Sequence, residues 1–110
     1  MVTSVRTSSQ VQHLLASAGE RVVCIKFTAS WCGPCKKIQP VLDELEAKYS
    51  RHFLVYTSDV DESSELVEHF KIASMPTFVF LWKNKVVYIL KGADPKLLQV
   101  AFEIMGAMVQ

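Results

Sequence analysis

Cysteine, unbalanced charge and long apolar runs are all scarce in this 110-residue chain. Its three cysteines, Cys24, Cys32 and Cys35, are too few for the disulfide framework of a small secreted protein. Twelve basic side chains against eleven acidic ones leave a net charge of +1. So even a balance offers no basic field for nucleic acid or an anionic membrane. No apolar stretch approaches the ~20 residues of a membrane span. His13, His52 and His69 are scattered and show no metal-ligand spacing. Repeats, linkers and low-complexity segments are missing too. The first 19 residues hold one arginine, Arg6, and no acid before Glu20. That faintly resembles a mitochondrial presequence, but one arginine is thin support and the segment is better used as structure. No signal peptide is visible, and the expected location is cytoplasmic. What is present is apolar: half of the residues are hydrophobic. That suffices for one domain over residues 1–110, with a core that needs no disulfide staples.

The chain is organised around Phe27-Thr28-Ala29-Ser30-Trp31-Cys32-Gly33-Pro34-Cys35-Lys36-Lys37. An apolar, β-branched run over residues 22–27 leads in, and an apolar run of helical period leads out. Two cysteines separated by Gly33-Pro34 thus sit where a strand hands over to a helix, the setting of a redox Cys-x-x-Cys pair. Cys32 falls at the helix N-terminus, where free N–H groups and the helix dipole favour negative charge. Its thiol pKa is therefore expected below the ordinary ~8.5. Pro34 suits the first turn, where a missing N–H costs nothing. Cys35 lies about one turn on, within reach of Cys32 and further from solvent. One sulfur is placed to attack and the other to resolve, with Lys36 and Lys37 adding positive potential.

Three blander readings compete. Zinc wants four ligands, and Cys24 is the only other cysteine. A structural disulfide closing four residues restrains little chain entropy. An inactive relic of a redox fold remains open because of Lys26.

In chain order, residues 1–5 can make a short edge strand. Ser8 or Ser9 can cap a helix with Val11, Leu14, Leu15 and Ala18 on one face, ended by Gly19. Residues 21–28 read as a buried parallel strand, with Cys24 as a small core hydrophobe. After the motif, Ile38, Val41, Leu42, Leu45 and Tyr49 keep helical spacing, and Pro40 is expected to kink that helix. Residues 53–58 form a third strand. Asp59 and Asp61 can serve as an acid pair for proton transfer, or can end the strand and cap the next helix; Asp61 or Ser63 is the expected cap. Residues 77–82 and 86–91 make an antiparallel hairpin around Asn84-Lys85. Asp94-Pro95 opens a last helix through Leu97, Leu98, Ala101, Phe102 and Met105, and residues 106–110 are expected to fray. The order β-α-β-α-β-α-β-β-α implies an α/β fold: a mixed five-stranded sheet with helices on both faces.

The FTASWCGPCKK segment, the element order and Met75-Pro76 together resemble the thioredoxin family over essentially the whole chain. The resemblance implies a cis Met75-Pro76 peptide beside the reactive sulfur, although a cis bond before proline is otherwise uncommon. The free N–H and C=O of Met75 would then pair with an extended client strand. It likewise implies an apolar docking surface from Trp31, Gly33, Pro34, Gly92 and Ala93. Trp31 read alone could instead be a partly buried core aromatic. The implied activity is protein-disulfide reduction: Cys32 attacks, and Cys35 resolves to leave a redox-active Cys32–Cys35 disulfide. No metal or organic cofactor is implied. The implied partners are thioredoxin reductase and disulfide-containing clients such as peroxiredoxins and ribonucleotide reductase, in cell redox homeostasis and electron transport.

One position departs from the family. Lys26 stands where thioredoxins usually carry a buried Asp that is thought to help deprotonate the resolving cysteine. A charged Lys26 would stabilise both thiolates. Buried and neutral, it could accept a proton; alternatively its stem packs while the amine reaches water. Lys26, Lys36, Asp59 and Asp61 are thus the candidate pKa modulators. The alternative function is a specialised or low-activity client-binding module.

Overall fold

The computed structural model describes residues 3–109. Their order is β1 (Thr3–Ser4), α1 (Ser8–Ala18), β2 (Val22–Thr28), α2 (Gly33–Lys48), β3 (Phe53–Asp59), α3 (Ser64–His69), β4 (Thr77–Trp82), β5 (Lys85–Lys91) and α4 (Pro95–Met108). The strands lie in the order β1-β3-β2-β4-β5. β1, β3 and β2 run parallel, while β4 and β5 are antiparallel to their neighbours. The expected five-stranded sheet becomes four strands of six or seven residues plus the two-residue edge β1. Residues 1 and 2 of the proposed edge strand lie outside the described residues.

β2 is buried from Val22 to Phe27 because both sheet faces are covered. On one face Val22, Cys24, Phe78 and Phe80 pack under α2 and α4, through Ile38, Leu42, Leu98 and Phe102. On the other, Val23, Ile25, Phe27 and Val79 meet Val11 and Ala18 of α1 and Leu66 of α3. Phe53 stacks on Phe102 at 4.3 Å between centroids and so ties β3 to α4.

Several local expectations are corrected. Thr7, not Ser8 or Ser9, caps α1: its hydroxyl accepts from the Gln10 N–H while the Gln10 side chain accepts from the Thr7 N–H. Gly19 ends that helix at φ 65°. Ser63 is the α3 cap residue, but its hydroxyl donates to the Val5 carbonyl instead of accepting from the helix. The hairpin turn is Lys83-Asn84, not Asn84-Lys85; both residues have positive φ, as a two-residue hairpin of the primed type demands. α2 is one continuous helix across Pro40, the residue expected to kink it, and Pro40 offers no N–H to the preceding turn. Residues 106–108, expected to fray, stay helical, and Gln110 lies outside the described residues. α4 continues to Met108, and Gly106 is buried so tightly that a Cβ there would lie 3.2 Å from Tyr49 Cδ1.

Register places the site. Thr28 aligns with Asp59, Phe27 with Thr77, and Thr77 with Lys91. The loops leaving β2, β3 and β5 and the loop entering β4 therefore converge at one end of the sheet, where the carboxyl ends of parallel strands usually hold ligands.

Candidate active site

Cys32 is the N-cap of α2, in extended conformation, and Pro34 lies in the first turn. Its Sγ accepts from the Cys35 N–H at 3.2 Å, one of the helix donors that would otherwise go unpaired. Cys32 and Cys35 are joined as a disulfide with Cα atoms 5.3 Å apart. Burial is unequal. Cys32 keeps only 6% of its surface, less open than expected, and Cys35 keeps none. Ala29, Val60 and Met75 pack around the pair.

The Met75-Pro76 peptide is cis, and the Met75 carbonyl lies 3.8 Å from Cys32 Sγ. Neither the N–H nor the C=O of Met75 has a backbone partner among the described residues. Thr77 Oγ1 donates to the Ser74 carbonyl at 2.7 Å, and Gly92 N–H to the Pro76 carbonyl at 2.9 Å, so the turn is held on both sides. Gly92 has φ 97°, a conformation that favours glycine, and Ala93 beside it is half-buried.

Trp31 is not a core aromatic: it is 64% exposed. Its indole N–H donates to Asp61 Oδ2 at 2.9 Å. The Asp61 N–H in turn donates to Asp59 Oδ1 at 2.9 Å, so the two acids shape the β3 exit loop and steady the tryptophan. Gly33, Pro34, Lys36 and Lys37 are exposed around the pair.

Lys26 sits beneath. The residue is only 2% exposed, so its amine does not extend into water. Nζ donates to the Cys35 carbonyl at 2.8 Å and to Gln39 Oε1 at 2.6 Å. Gln39 Nε2 passes the connection on to Asp43 Oδ1 at 2.8 Å. Burial lowers the Lys26 pKa from its ordinary value, and the charge of Asp43 opposes that shift. A cleft lined by Lys26, Cys35, Gln39 and Asp59 opens beside it. Cys24, one strand position pair away from Lys26, is a free buried thiol whose pKa burial drives well above the ordinary range.

The sequence reading missed Gln39, Asp43 and Val60. Gln39 carried a usable signal, since it follows Cys35 by four residues and shares its helix face. Val60 carried none. Among the described residues no group of three His, Cys, Asp or Glu side chains is placed to hold a metal ion, and no helix is long and apolar enough to cross a membrane.

The thioredoxin family model matches residues 2–102. Thioredoxin-1 of Drosophila melanogaster is 40% identical over 93 residues, covering 84% of this chain and 87% of its own. The crystal structure of the germline-specific thioredoxin Deadhead from that fly superposes with a TM-score of 0.85 at 37% identity, covering 94% and 98% of the two chains. A chain from a study of the thiol resolving mechanism in yeast mitochondrial 1-Cys peroxiredoxin via glutathione/thioredoxin systems also gives a TM-score of 0.85, at 28% identity and 94% coverage of both. With a Cys32-Gly33-Pro34-Cys35 pair set at a helix N-terminus, the chain belongs to the thioredoxin family of thiol–disulfide oxidoreductases.

Proposed function

We propose that the protein reduces protein disulfides with Cys32 as nucleophile and Cys35 as resolving thiol. The supporting observation is the position of Cys32 Sγ, 3.2 Å from a helix N–H and 3.8 Å from the carbonyl of an unpaired backbone edge. In the reduced protein the same N–H would stabilise a Cys32 thiolate. An extended client segment pairs with the Met75 N–H and C=O as a short added strand, which lays its disulfide against Cys32. Trp31, Gly33, Pro34, Met75, Pro76, Gly92 and Ala93 form the docking surface.

The Cys32 thiolate attacks one client sulfur; a mixed disulfide forms and the other client sulfur leaves as thiolate. Cys35, losing its proton, then attacks Cys32 Sγ. The client departs as a dithiol, two electrons reduced, and the Cys32–Cys35 disulfide carries the oxidation. No metal or organic cofactor enters this cycle. Regeneration falls to a thioredoxin reductase, and disulfide-bearing proteins such as peroxiredoxins or ribonucleotide reductase are the expected clients. The yeast neighbour comes from work on a peroxiredoxin, which supports that client class. The cytoplasm, where thiols are kept reduced, is the compartment this role suits.

Lys26 stands as the modulator of the resolving step, since its amine holds the Cys35 carbonyl. A client-binding module without turnover gains no support from it, because both cysteines keep their places above Lys26. NADPH- and reductase-coupled reduction of a protein disulfide tests the reading. Turnover abolished by Cys32→Ser is expected; no turnover by the unmodified protein would refute it.

A further inference from the structure

We propose that the outward face of α4 is a homodimer contact, on which a second copy of this chain lays its own α4 antiparallel. α4 carries two apolar stripes. Leu98, Ala101, Phe102, Met105 and Gly106 are buried in the core. Leu97, Val100, Ile104 and Ala107 form the other at 3-4-3 spacing, the seam rhythm of paired helices. Leu97 is 50% exposed, Val100 40% and Ile104 64%, and Met108 extends the stripe at 46%. At 100° per residue these five span about 100° of the helix surface, a continuous strip that the fold itself does not use.

Charge selects the occupant. Lys96 and Glu103, seven residues apart and opposite in sign, flank one side of the stripe. Both are exposed, and neither joins a salt bridge among the described residues. A two-fold axis near Val100 sets Leu97 against the partner's Ile104 and Val100 against the partner's Val100. It also sets Lys96 against the partner's Glu103, twice over. A patch that is complementary to itself is what an isologous dimer requires. A parallel pair would instead set these charges against Ala101 and Met108, with nothing to answer them. A 14-residue helix is only about 21 Å long, so the contact is small and the association weak.

Sedimentation equilibrium of the full chain tests this, from about 1 μM to about 1 mM, at low salt. Reductant is kept present so that no intermolecular disulfide imitates the dimer. The unmodified protein is expected to dimerise, and Ile104→Lys, at an exposed position, to weaken the dimer by tenfold or more. Lys96→Glu and Glu103→Lys should each weaken it about three- to tenfold, while the two together restore it, because reversing both charges recreates the pair. A monomer at every concentration overturns the proposal, whatever other protein the stripe then binds. So does a dimer indifferent to Ile104→Lys, or a double reversal that fails to recover what each single change loses.

Discussion

The amine of Lys26 donates to the carbonyl of Cys35 at 2.8 Å from beneath the redox pair. A long cationic side chain normally finds water. Here it stays inside because two acceptors, the Cys35 carbonyl and Gln39 Oε1, meet it, and because Asp43 stands behind Gln39. The bonds suit an ammonium group, which donates and cannot accept, although burial alone opposes the charge. Where the family usually sets a carboxylate under the resolving cysteine, this chain sets a donor.

Positive charge under Cys35 favours its thiolate. In a Cys32→Ser background, Lys26→Met is therefore expected to raise the apparent pKa of Cys35, and Lys26→Asp to raise it further. The pH dependence of Cys35 alkylation measures it. Attack by Cys35 on a preformed mixed disulfide should change in the same variants; an unaltered rate and an unaltered pH profile would leave Lys26 a packing residue only.

Lys26 and Cys24 also push alkaline stability in opposite directions. The folded pKa of Lys26 lies below its ordinary 10.5, so burying the charge costs stability at low pH. As pH rises through that lowered value towards 10.5, the native state gives up the proton while the unfolded chain keeps it, and the cost disappears. Cys24 is the reverse case. Its folded pKa lies above the ordinary 9.0, so its contribution is intact below pH 9. Above it the unfolded chain ionises first and stability falls. Urea unfolding of the oxidised protein across pH 7 to 10.5 should show Lys26→Met losing the alkaline gain and Cys24→Ala losing the alkaline penalty. Curves that stay parallel to the unmodified protein would refute both assignments.

Much of this was legible in the sequence because the signals were local. The apolar run into Cys-Gly-Pro-Cys located the strand–helix junction, and Asp94-Pro95 announced the α4 cap, where Asp94 Oδ1 accepts from the Lys96 and Leu97 amides. Errors arose where a distant contact decided. Gly106 looks like a helix terminator until Tyr49 is seen pressed against it. Lys83 gives no sign that it will take φ 50°; the register of β4 on β5 imposes it. The direction of the Lys26 amine depends on Gln39, thirteen residues along the chain and on a different element.

The indole–carboxylate contact should matter for client capture more than for chemistry. Asp61→Ala removes the acceptor of the Trp31 N–H without touching either sulfur. A net exposed hydrogen bond is worth about 1 kcal/mol, so KM for a protein disulfide is expected to rise about three- to fivefold. The rate of the chemical step at saturation should stay within a factor of about two. A fall in that rate with an unchanged KM would instead place Asp61 in the proton path.

Gly106 supplies a stability test of the contact between α4 and the segment joining α2 to β3. A glycine inside a helix is disfavoured by about 1 kcal/mol relative to alanine. At this position the added Cβ meets the Tyr49 ring edge at 3.2 and 3.4 Å and Phe53 Cε1 at 3.6 Å. The tyrosine is half-buried and can yield a few tenths of an ångström, so Gly106→Ala is expected to be near neutral, propensity offsetting contact. Gly106→Leu has no such escape, because Phe53 is held by its stack on Phe102. It should cost about 1–3 kcal/mol through overpacking. Chemical denaturation of the three proteins decides it: a leucine variant as stable as the unmodified protein would mean that α4 is free to move away from Tyr49 and Phe53.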